Sequence, residues 1–260
     1  MITDFHSHAF PDAIAARAVP ALAEEGKIAA HSDGTITGLL ASMDQAGIDR
    51  SVICSIATQP SQFQAILDWS LMIRSERIIP LASIHPNDPE LVQRVEQIRA
   101  AGLAGIKMHP YYQNYFLASE RLTPLYQALS DAGLLLVVHC GYDVAYPRIK
   151  QADPAQILTL HQRFPNLKLV ATHFGAWQDW DAVEDLLIGH KIYMEISFSL
   201  QYLKPQEAVR LFNAHPSEYL LFGSDSPWAD QRECLRQFNS LGLDAALCRQ
   251  ILHDNSIRLL

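Results

Sequence analysis

Short apolar segments recur along the chain with room for one helix between each pair, and this alternation limits the possible folds more than any other feature. Eight such segments are rich in Ile, Val and Leu, and they cover residues 2–6, 51–56, 78–84, 104–108, 134–139, 168–172, 191–196 and 219–223. Several of them are almost continuously apolar, which is typical of parallel strands that are covered on both faces. We therefore predict a parallel sheet built from all eight segments.

The segments between these predicted strands have helical periodicity and carry helix start and stop signals. Asp153 followed by Pro154 is typical of a capped helix start, and Asp88 followed by Pro89 predicts another. Eight strand-helix units in a chain of 260 residues predict an α/β fold, the (β/α)8 or TIM barrel. A doubly wound open sheet is the alternative, but no glycine-rich dinucleotide turn follows the first strand.

We expect residues 1–260 to form a single domain, because no linker or low-complexity segment interrupts the chain. Residues 9–47 are longer than one crossover helix requires. We interpret them as an elaborated first loop that covers the catalytic face.

Composition limits the partners of this protein. A net charge of -8 argues against nucleic acid or an anionic membrane as the main partner. The longest apolar run, residues 134–138, is too short to span a bilayer, and the first strand begins too near Met1 to leave room for a signal peptide. We expect a cytoplasmic location, with four widely spaced cysteines as free thiols. Cys140 beside His139 suggests a nucleophile, but neighbouring strand residues face opposite sides.

The first predicted strand ends in His6-Ser7-His8. Side chains alternate along a strand, so His6 and His8 point the same way, while Phe5 and Ser7 face elsewhere. Two imidazoles at this spacing form half of a site for zinc, iron or manganese. The pattern alone is weak, and by itself it favours the simpler interpretation of a strand end with two partly exposed histidines.

Polar side chains also lie at the ends of the later strands, where a TIM barrel carries its active site. They are Lys107 and His109 on strand four, His139 on strand five, His173 on strand six, Glu195 and Ser197 on strand seven, and Asp225 on strand eight. Because these strand ends converge on the barrel axis, we interpret the residues as one metal-binding active site rather than as separate hydrogen-bonded side chains.

Four motifs in this order resemble those of the amidohydrolase superfamily. They are His6-Ser7-His8, Val138-His139-Cys140-Gly141, Ala171-Thr172-His173-Phe174-Gly175 and Phe222-Gly223-Ser224-Asp225-Ser226-Pro227-Trp228. The chain is most similar to the amidohydrolase-related subgroup, which includes aminocarboxymuconate-semialdehyde decarboxylase and pyrone-dicarboxylate lactonase. The resemblance implies that His6, His8, His139 and Asp225 bind a divalent metal, commonly zinc. It also implies that His173 positions or deprotonates a metal-bound water, but it does not define the reaction.

The chemistry of these residue types agrees with that implication. Neutral imidazoles and one carboxylate leave a divalent ion with positive charge and an open position, so the pKa of a bound water falls from roughly 15.7 to about 7. Asp225 can accept the proton of that water, and His173 can orient the water or stabilise an oxyanion. These roles favour an enzyme, a metal-dependent hydrolase of a small amide, ester or lactone.

Five further residues are candidates for substrate binding or for a second metal. Lys107 has three interpretations, a carboxylated bridge between two metals, an ammonium that binds a substrate carboxylate, or a salt bridge with Glu195, and we favour the last two. His109 fits either a site residue or a strand-end turn. Arg148 and Trp228 fit the pocket wall, as a partner for an anion and as an aromatic surface, and fit surface and packing roles equally well.

Three other functions remain open. A decarboxylase uses the same kind of metal site, although that branch usually has more arginines near the pocket mouth than this chain offers. A TatD-type deoxyribonuclease shares the barrel, but it requires a bridging glutamate where this chain has Lys107. The third is a metal-free barrel. We expect one zinc ion and a small-molecule substrate, with a second metal ion and a homo-oligomer left open.

Overall fold

The computed structural model describes residues 1–260, and all eight strands are parallel to their neighbours. The strands are β1 (Thr3–Ser7), β2 (Arg50–Cys54), β3 (Ile78–Leu81), β4 (Gly105–Met108), β5 (Leu135–Val138), β6 (Lys168–Ala171), β7 (Tyr193–Glu195) and β8 (Leu220–Leu221). They pair in chain order as β1-β2-β3 and as β4 through β8. Each strand lies within a predicted segment or extends past it by one residue, so the prediction of eight strands is confirmed.

Backbone hydrogen bonds join these two sheets at both of their edges. The amide of Lys107 donates to the carbonyl of Ala82 at 2.9 Å, which links β3 to β4. At the other edge, the amide of Phe5 donates to the carbonyl of Phe222 and that of Asp225 donates to the carbonyl of His6, both at 2.8 Å. The strands therefore form a ring, and the predicted TIM barrel is confirmed.

Helices follow the strands in the order predicted from the sequence. They are α1 (Asp12–Gly26), α2 (Ile36–Ala46), α3 (Phe63–Ile73), α4 (Leu91–Ala100), α5 (Thr123–Ala132), α6 (Pro154–Arg163), α7 (Trp180–Leu186), α8 (Pro205–Ala214), α9 (Gln231–Ser240), α10 (Ala245–Arg249) and α11 (Asn255–Leu259). A π-helical turn, Gln250–Asp254, joins the last two. None of these helices has both the length and the apolar character needed to cross a membrane.

Two predicted helix starts had different outcomes. The Asp153 carboxylate accepts a hydrogen bond from the amide of Gln156, so Asp153 caps α6 as predicted. The start predicted at Asp88 is wrong, because α4 begins at Leu91. The Asp88 carboxylate instead accepts from the Glu90 amide at 2.8 Å and from the Arg94 side chain at 3.2 Å, and it holds the turn that precedes the helix.

Two apolar layers surround the strands. The larger one packs between the barrel and its helices, and the smaller one is drawn from six strands and fills the barrel interior. Phe5 belongs to the interior layer, contrary to the simple alternation expected for β1. The register of β1 against β2 shifts between Asp4 and Ser7, so an advance of three residues along β1 matches an advance of two residues along β2. This β-bulge allows Phe5 and His6 both to face inward.

The long first loop, residues 9–47, contains both α1 and α2. The α2 helix packs beside α9 in the outer layer of the barrel. The α1 helix lies over the mouth of the barrel, where Ile14, Ala18 and Leu22 face a cavity. Their spacing of four residues places them on one side of the helix. The expected cover over the strand ends is therefore α1.

Candidate active site

A cavity of about 450 Å³ opens at the carboxyl ends of the strands. Its histidine, lysine and carboxylate lining residues are His6, His8, Lys107, His109, His139, Asp143, His173 and Asp225. All of the predicted metal and catalytic residues therefore border one space. Such a volume is ordinary for small-molecule sites, which span roughly 300–1,000 Å³.

Three predicted metal ligands converge at the floor of this cavity. Nε2 of His8 lies 3.0 Å from Oδ1 of Asp225, and Nε2 of His6 lies 3.3 Å from the same oxygen. The two Nε2 atoms are 3.2 Å apart. Three donor atoms of different side chains thus face one point, which is the arrangement that a bound cation requires.

The other nitrogen of each imidazole is engaged by the protein. Nδ1 of His8 donates to the carbonyl of Cys54 at 2.9 Å, and Nδ1 of His6 donates to Oε1 of Glu195 at 2.7 Å. Both acceptors fix the tautomer that leaves a lone pair on Nε2. Metal-binding histidines are typically held in this way by a carbonyl or a carboxylate. The donor set therefore fits a divalent metal ion.

Burial and neighbouring charges set these groups in the protonation states that a metal requires. Burial, reinforced by the ammonium of Lys107, holds the pKa of His6 well below its usual value. Burial alone would raise the pKa of Asp225, but His6 and His8 outweigh it and hold that pKa below its usual range. A neutral imidazole and an ionised carboxylate are the forms that bind metal.

Glu195 is buried beneath this cluster and accepts four hydrogen bonds. Its Oε1 accepts from Nδ1 of His6 at 2.7 Å, from Oγ of Ser197 at 2.8 Å and from the amide of His173 at 3.1 Å. Its Oε2 accepts from the amide of Ser197 at 2.7 Å. Glu195 therefore positions His6 and the start of the loop that follows β6.

Lys107 does not form the ion pair with Glu195 that was one of its predicted roles. Its ammonium, fully buried, lies 3.1 Å from Nε2 of His6 at the edge of the proposed metal position. The Glu195 carboxylate instead accepts its four hydrogen bonds from His6, Ser197 and the amide of His173. Lys107 is thus the cation nearest to any substrate group that binds at the floor.

His139 and His173 form a chain of hydrogen bonds along one wall. Nε2 of His173 lies 2.9 Å from Nδ1 of His139, Nδ1 of His173 lies 3.1 Å from the carbonyl of Ser197, and Nε2 of His139 lies 3.0 Å from the carbonyl of Tyr142. Carbonyl oxygens only accept, so the two end nitrogens and the shared contact call for three hydrogens. Two neutral rings supply two, which leaves a place for one incoming proton.

The structure does not place His139 in the cluster of His6, His8 and Asp225. Its ring stacks on that of His109 at 4.0 Å, and the Asp143 carboxylate lies 3.4 Å from His109 and 3.6 Å from His139. The two rings are nearly parallel, at 19°, so their in-plane lone pairs do not converge on one atom. This second cluster is therefore a poor match for another metal ion, and its geometry favours hydrogen bonding. The role of His139 as a fourth ligand stays a prediction.

The remaining wall residues divide into two groups. Trp228 lines the cavity as predicted, together with Trp177. Arg148 does not line it: the guanidinium is exposed, stacks 3.7 Å from the ring centre of Tyr142 and donates to Gln178. The interpretation of Arg148 as a pocket residue is therefore wrong, because the ring of Tyr142 occupies the wall.

Asp143 was missed by the sequence analysis. It follows the motif at His139 by four residues, and no periodicity marks it as part of the site. Positive backbone φ angles at His173 (58°) and Asp225 (73°) were also missed, since residues other than glycine adopt this conformation too rarely for a sequence to indicate it. Both residues turn sharply from strand to loop, and backbone strain of this kind is concentrated at functional sites.

Comparison with known proteins identifies the family of this fold. The family model described as amidohydrolase matches residues 3–260. A dihydroorotase from Marinomonas sp. (strain MWYL1) is 30% identical over 105 residues, which cover 36% of this chain and 30% of that enzyme. The alignment thus spans less than a third of the curated relative.

Several solved structures share the fold over their whole length. A TIM-barrel protein from Bordetella bronchiseptica matches with a TM-score of 0.79 at 17% identity, covering 99% of this chain and 97% of the other. A 5-carboxyvanillate decarboxylase from Novosphingobium aromaticivorans, solved with bound manganese, matches with a TM-score of 0.73 at 14% identity. The match covers 100% of this chain and 96% of the other. A Pseudomonas putida protein with a provisional assignment as a 2-pyrone-4,6-dicarboxylic acid hydrolase matches with a TM-score of 0.67 at 19% identity. The match covers 99% of this chain and 96% of the other.

Proposed function

Because this chain belongs to the amidohydrolase family, we propose that it is a metal-dependent hydrolase of a small amide, ester or lactone. The observation that carries the proposal is the convergence of Nε2 of His6, Nε2 of His8 and Oδ1 of Asp225, with both imidazole tautomers fixed from behind. We propose that residues 1–260 act as one domain. The cytoplasmic location expected from the sequence stays a prediction.

The donor set supports one divalent metal ion, and we propose zinc. Imidazole and carboxylate ligands suit zinc, and a related decarboxylase structure holds manganese, so both ions belong in the test. A bound divalent ion supplies Lewis acidity, which polarises a carbonyl group and lowers the pKa of water to about 7. His6, His8 and Asp225 would hold the ion, with His139 as the proposed fourth ligand.

The residues of the chain perform the remaining steps. Asp225 carries an ionised carboxylate at the floor, so its free oxygen can accept a proton from the attacking water and return it to the leaving group. His173 borders the same cavity, and its hydrogen-bonded chain with His139 has room for one further proton. Lys107 can donate a hydrogen bond to negative charge that develops on the substrate.

A decarboxylase is the second candidate, and Lys107 is the observation that favours it. A buried ammonium at the cavity floor could hold a substrate carboxylate next to the metal position. The two functions give different products. We expect assays of the zinc-loaded and manganese-loaded protein with amides, esters, lactones and carboxylated aromatics to show hydrolysis. Release of carbon dioxide without hydrolysis would replace the first proposal with the second.

A further inference from the structure

Most ionisable side chains of the cavity lie at the strand ends, and most of its apolar side chains lie above them. Its floor is formed by His6, His8, Lys107, His173 and Asp225. The walls above the floor are mainly aliphatic and aromatic, and they are supplied by helices and loops rather than by the strand ends. A molecule that reaches the floor therefore has one polar end and a body in contact with hydrocarbon.

Two helices supply much of the apolar wall. From α1 the cavity receives Ile14, Ala18 and Leu22, and from α3 it receives Ile66 and Trp69. Leu22, Ile66 and Trp69 are only partly buried by the protein itself. When an apolar ligand covers apolar side chains that are accessible inside a cavity, binding becomes more favourable by about 25 cal/mol for each Å² of apolar surface that is removed from water.

Positive charge is nearly absent from the walls. Lys107 is the only lysine or arginine that borders the cavity. Two basic side chains of the neighbouring loop form other contacts, since Arg148 stacks on the ring of Tyr142 and Lys150 forms a salt bridge with Asp179 at 2.8 Å. The wall carboxylate of Asp143 would repel a second anionic group on the substrate.

We propose that the substrate is an ester, lactone or amide whose body is an uncharged alkyl or aryl group. Such a substrate carries a reacting carbonyl and no anionic substituent. This inference rests on the hydrolase function proposed above. It assigns α1 and α3 as the elements that select the substrate, through the apolar surface between Leu22 and Ile66. The polar cluster at the floor then acts on the carbonyl alone.

Ketones that cannot be hydrolysed test this selection apart from catalysis. Trp69, Trp177 and Trp228 border the cavity, so quenching of tryptophan fluorescence reports binding to the purified protein. We expect affinity to rise from acetophenone through butyrophenone to hexanophenone, by about fourfold for each added methylene group. Benzoylbutyrate, which ends in a carboxylate, should bind more weakly than hexanophenone.

Charged substitutions in the wall should reverse this preference. Leu22→Lys and Ile66→Lys should each weaken hexanophenone binding and strengthen benzoylbutyrate binding, the latter by about fivefold for a solvent-accessible charge pair. Met72→Lys is the matched control, because Met72 lies on α3, is 74% exposed and does not border the cavity. The two wall variants lie on different helices, so misfolding of one leaves the other as the test.

The outcomes separate this inference from the proposed function. Chain-length-dependent ketone binding in a protein that hydrolyses no ester, lactone or amide would retain the apolar pocket and reject the hydrolase. Benzoylbutyrate binding as tightly as hexanophenone, or no binding of any ketone, would overturn the inference. Equal effects of Leu22→Lys and Met72→Lys would overturn it as well.

Discussion

Replacing Glu195 with glutamine tests whether the buried carboxylate positions a metal ligand. Oε1 accepts from Nδ1 of His6, Oγ of Ser197 and the His173 amide, while Oε2 accepts from the Ser197 amide. A glutamine has one acceptor oxygen and one amino group. Whichever way it is oriented, its amino group faces at least one buried N–H donor.

The size of the effect follows from those contacts. One buried donor without an acceptor costs about 1–3 kcal/mol, so Glu195→Gln should lower the free energy of unfolding by that amount. Loss of the negative charge behind His6 also weakens the orientation of Nε2. Substitution of a residue that orients a metal-binding histidine typically lowers metal affinity by about 10–100-fold.

Competition with a chromophoric chelator measures this affinity for zinc. We expect the dissociation constant of Glu195→Gln to rise by about 10–100-fold relative to the unmodified protein. Glu207→Gln on the exposed surface, where the carboxylate pairs only with Lys204, is the matched control and should leave the constant unchanged. A variant that loses stability and keeps its zinc affinity would refute the positioning role and leave Glu195 a purely structural residue.

Three further predictions concern single residues. His139→Ala should lower metal content and activity together, whereas His173→Ala should retain metal and lose turnover; loss of metal from the second variant would show that the roles are misassigned. Burial lowers the pKa of His215 from 6.5 to about 4, so the unfolded chain takes up the proton first and stability falls with the pH below 6.5. Between neutral pH and pH about 5 this residue should cost about 2 kcal/mol of unfolding free energy in urea titrations, and His215→Gln should abolish that part of the pH dependence. Burial raises the pKa of the Cys140 thiol to about 12, so Cys140→Ala should retain hydrolytic activity. Loss of hydrolysis in this variant would instead support a nucleophilic role for Cys140.

The strand ends of this fold could be predicted because parallel strands in a barrel have a simple signature. Apolar runs identify the strands, and polar residues such as His139, His173 and Asp225 at their carboxyl ends stand out against that background. The structure brings all of these residues to one cavity. Their convergence depends on topology alone, which the order of elements in the chain already determines.

Features that depend on loop conformation or on local register could not be predicted in this way. The β-bulge in β1 turns both Phe5 and His6 inward, and no residue in that strand signals a break in the alternation. Arg148 and Asp143 lie in one loop, yet only the carboxylate reaches the cavity because the ring of Tyr142 separates the guanidinium from it. The backbone path of a loop decides such outcomes, and composition does not specify it.

His6, His8 and Asp225 are the residues that we propose to hold one divalent metal ion. Elemental analysis of protein purified without added metal or chelator tests this site, with His8→Ala measured in parallel. We expect about one equivalent of zinc or manganese per chain, and much less in the variant. Protein that holds no divalent ion after zinc and manganese have been offered, or a His8→Ala variant that binds as much metal as the unmodified chain, would show that these three residues do not form a metal site.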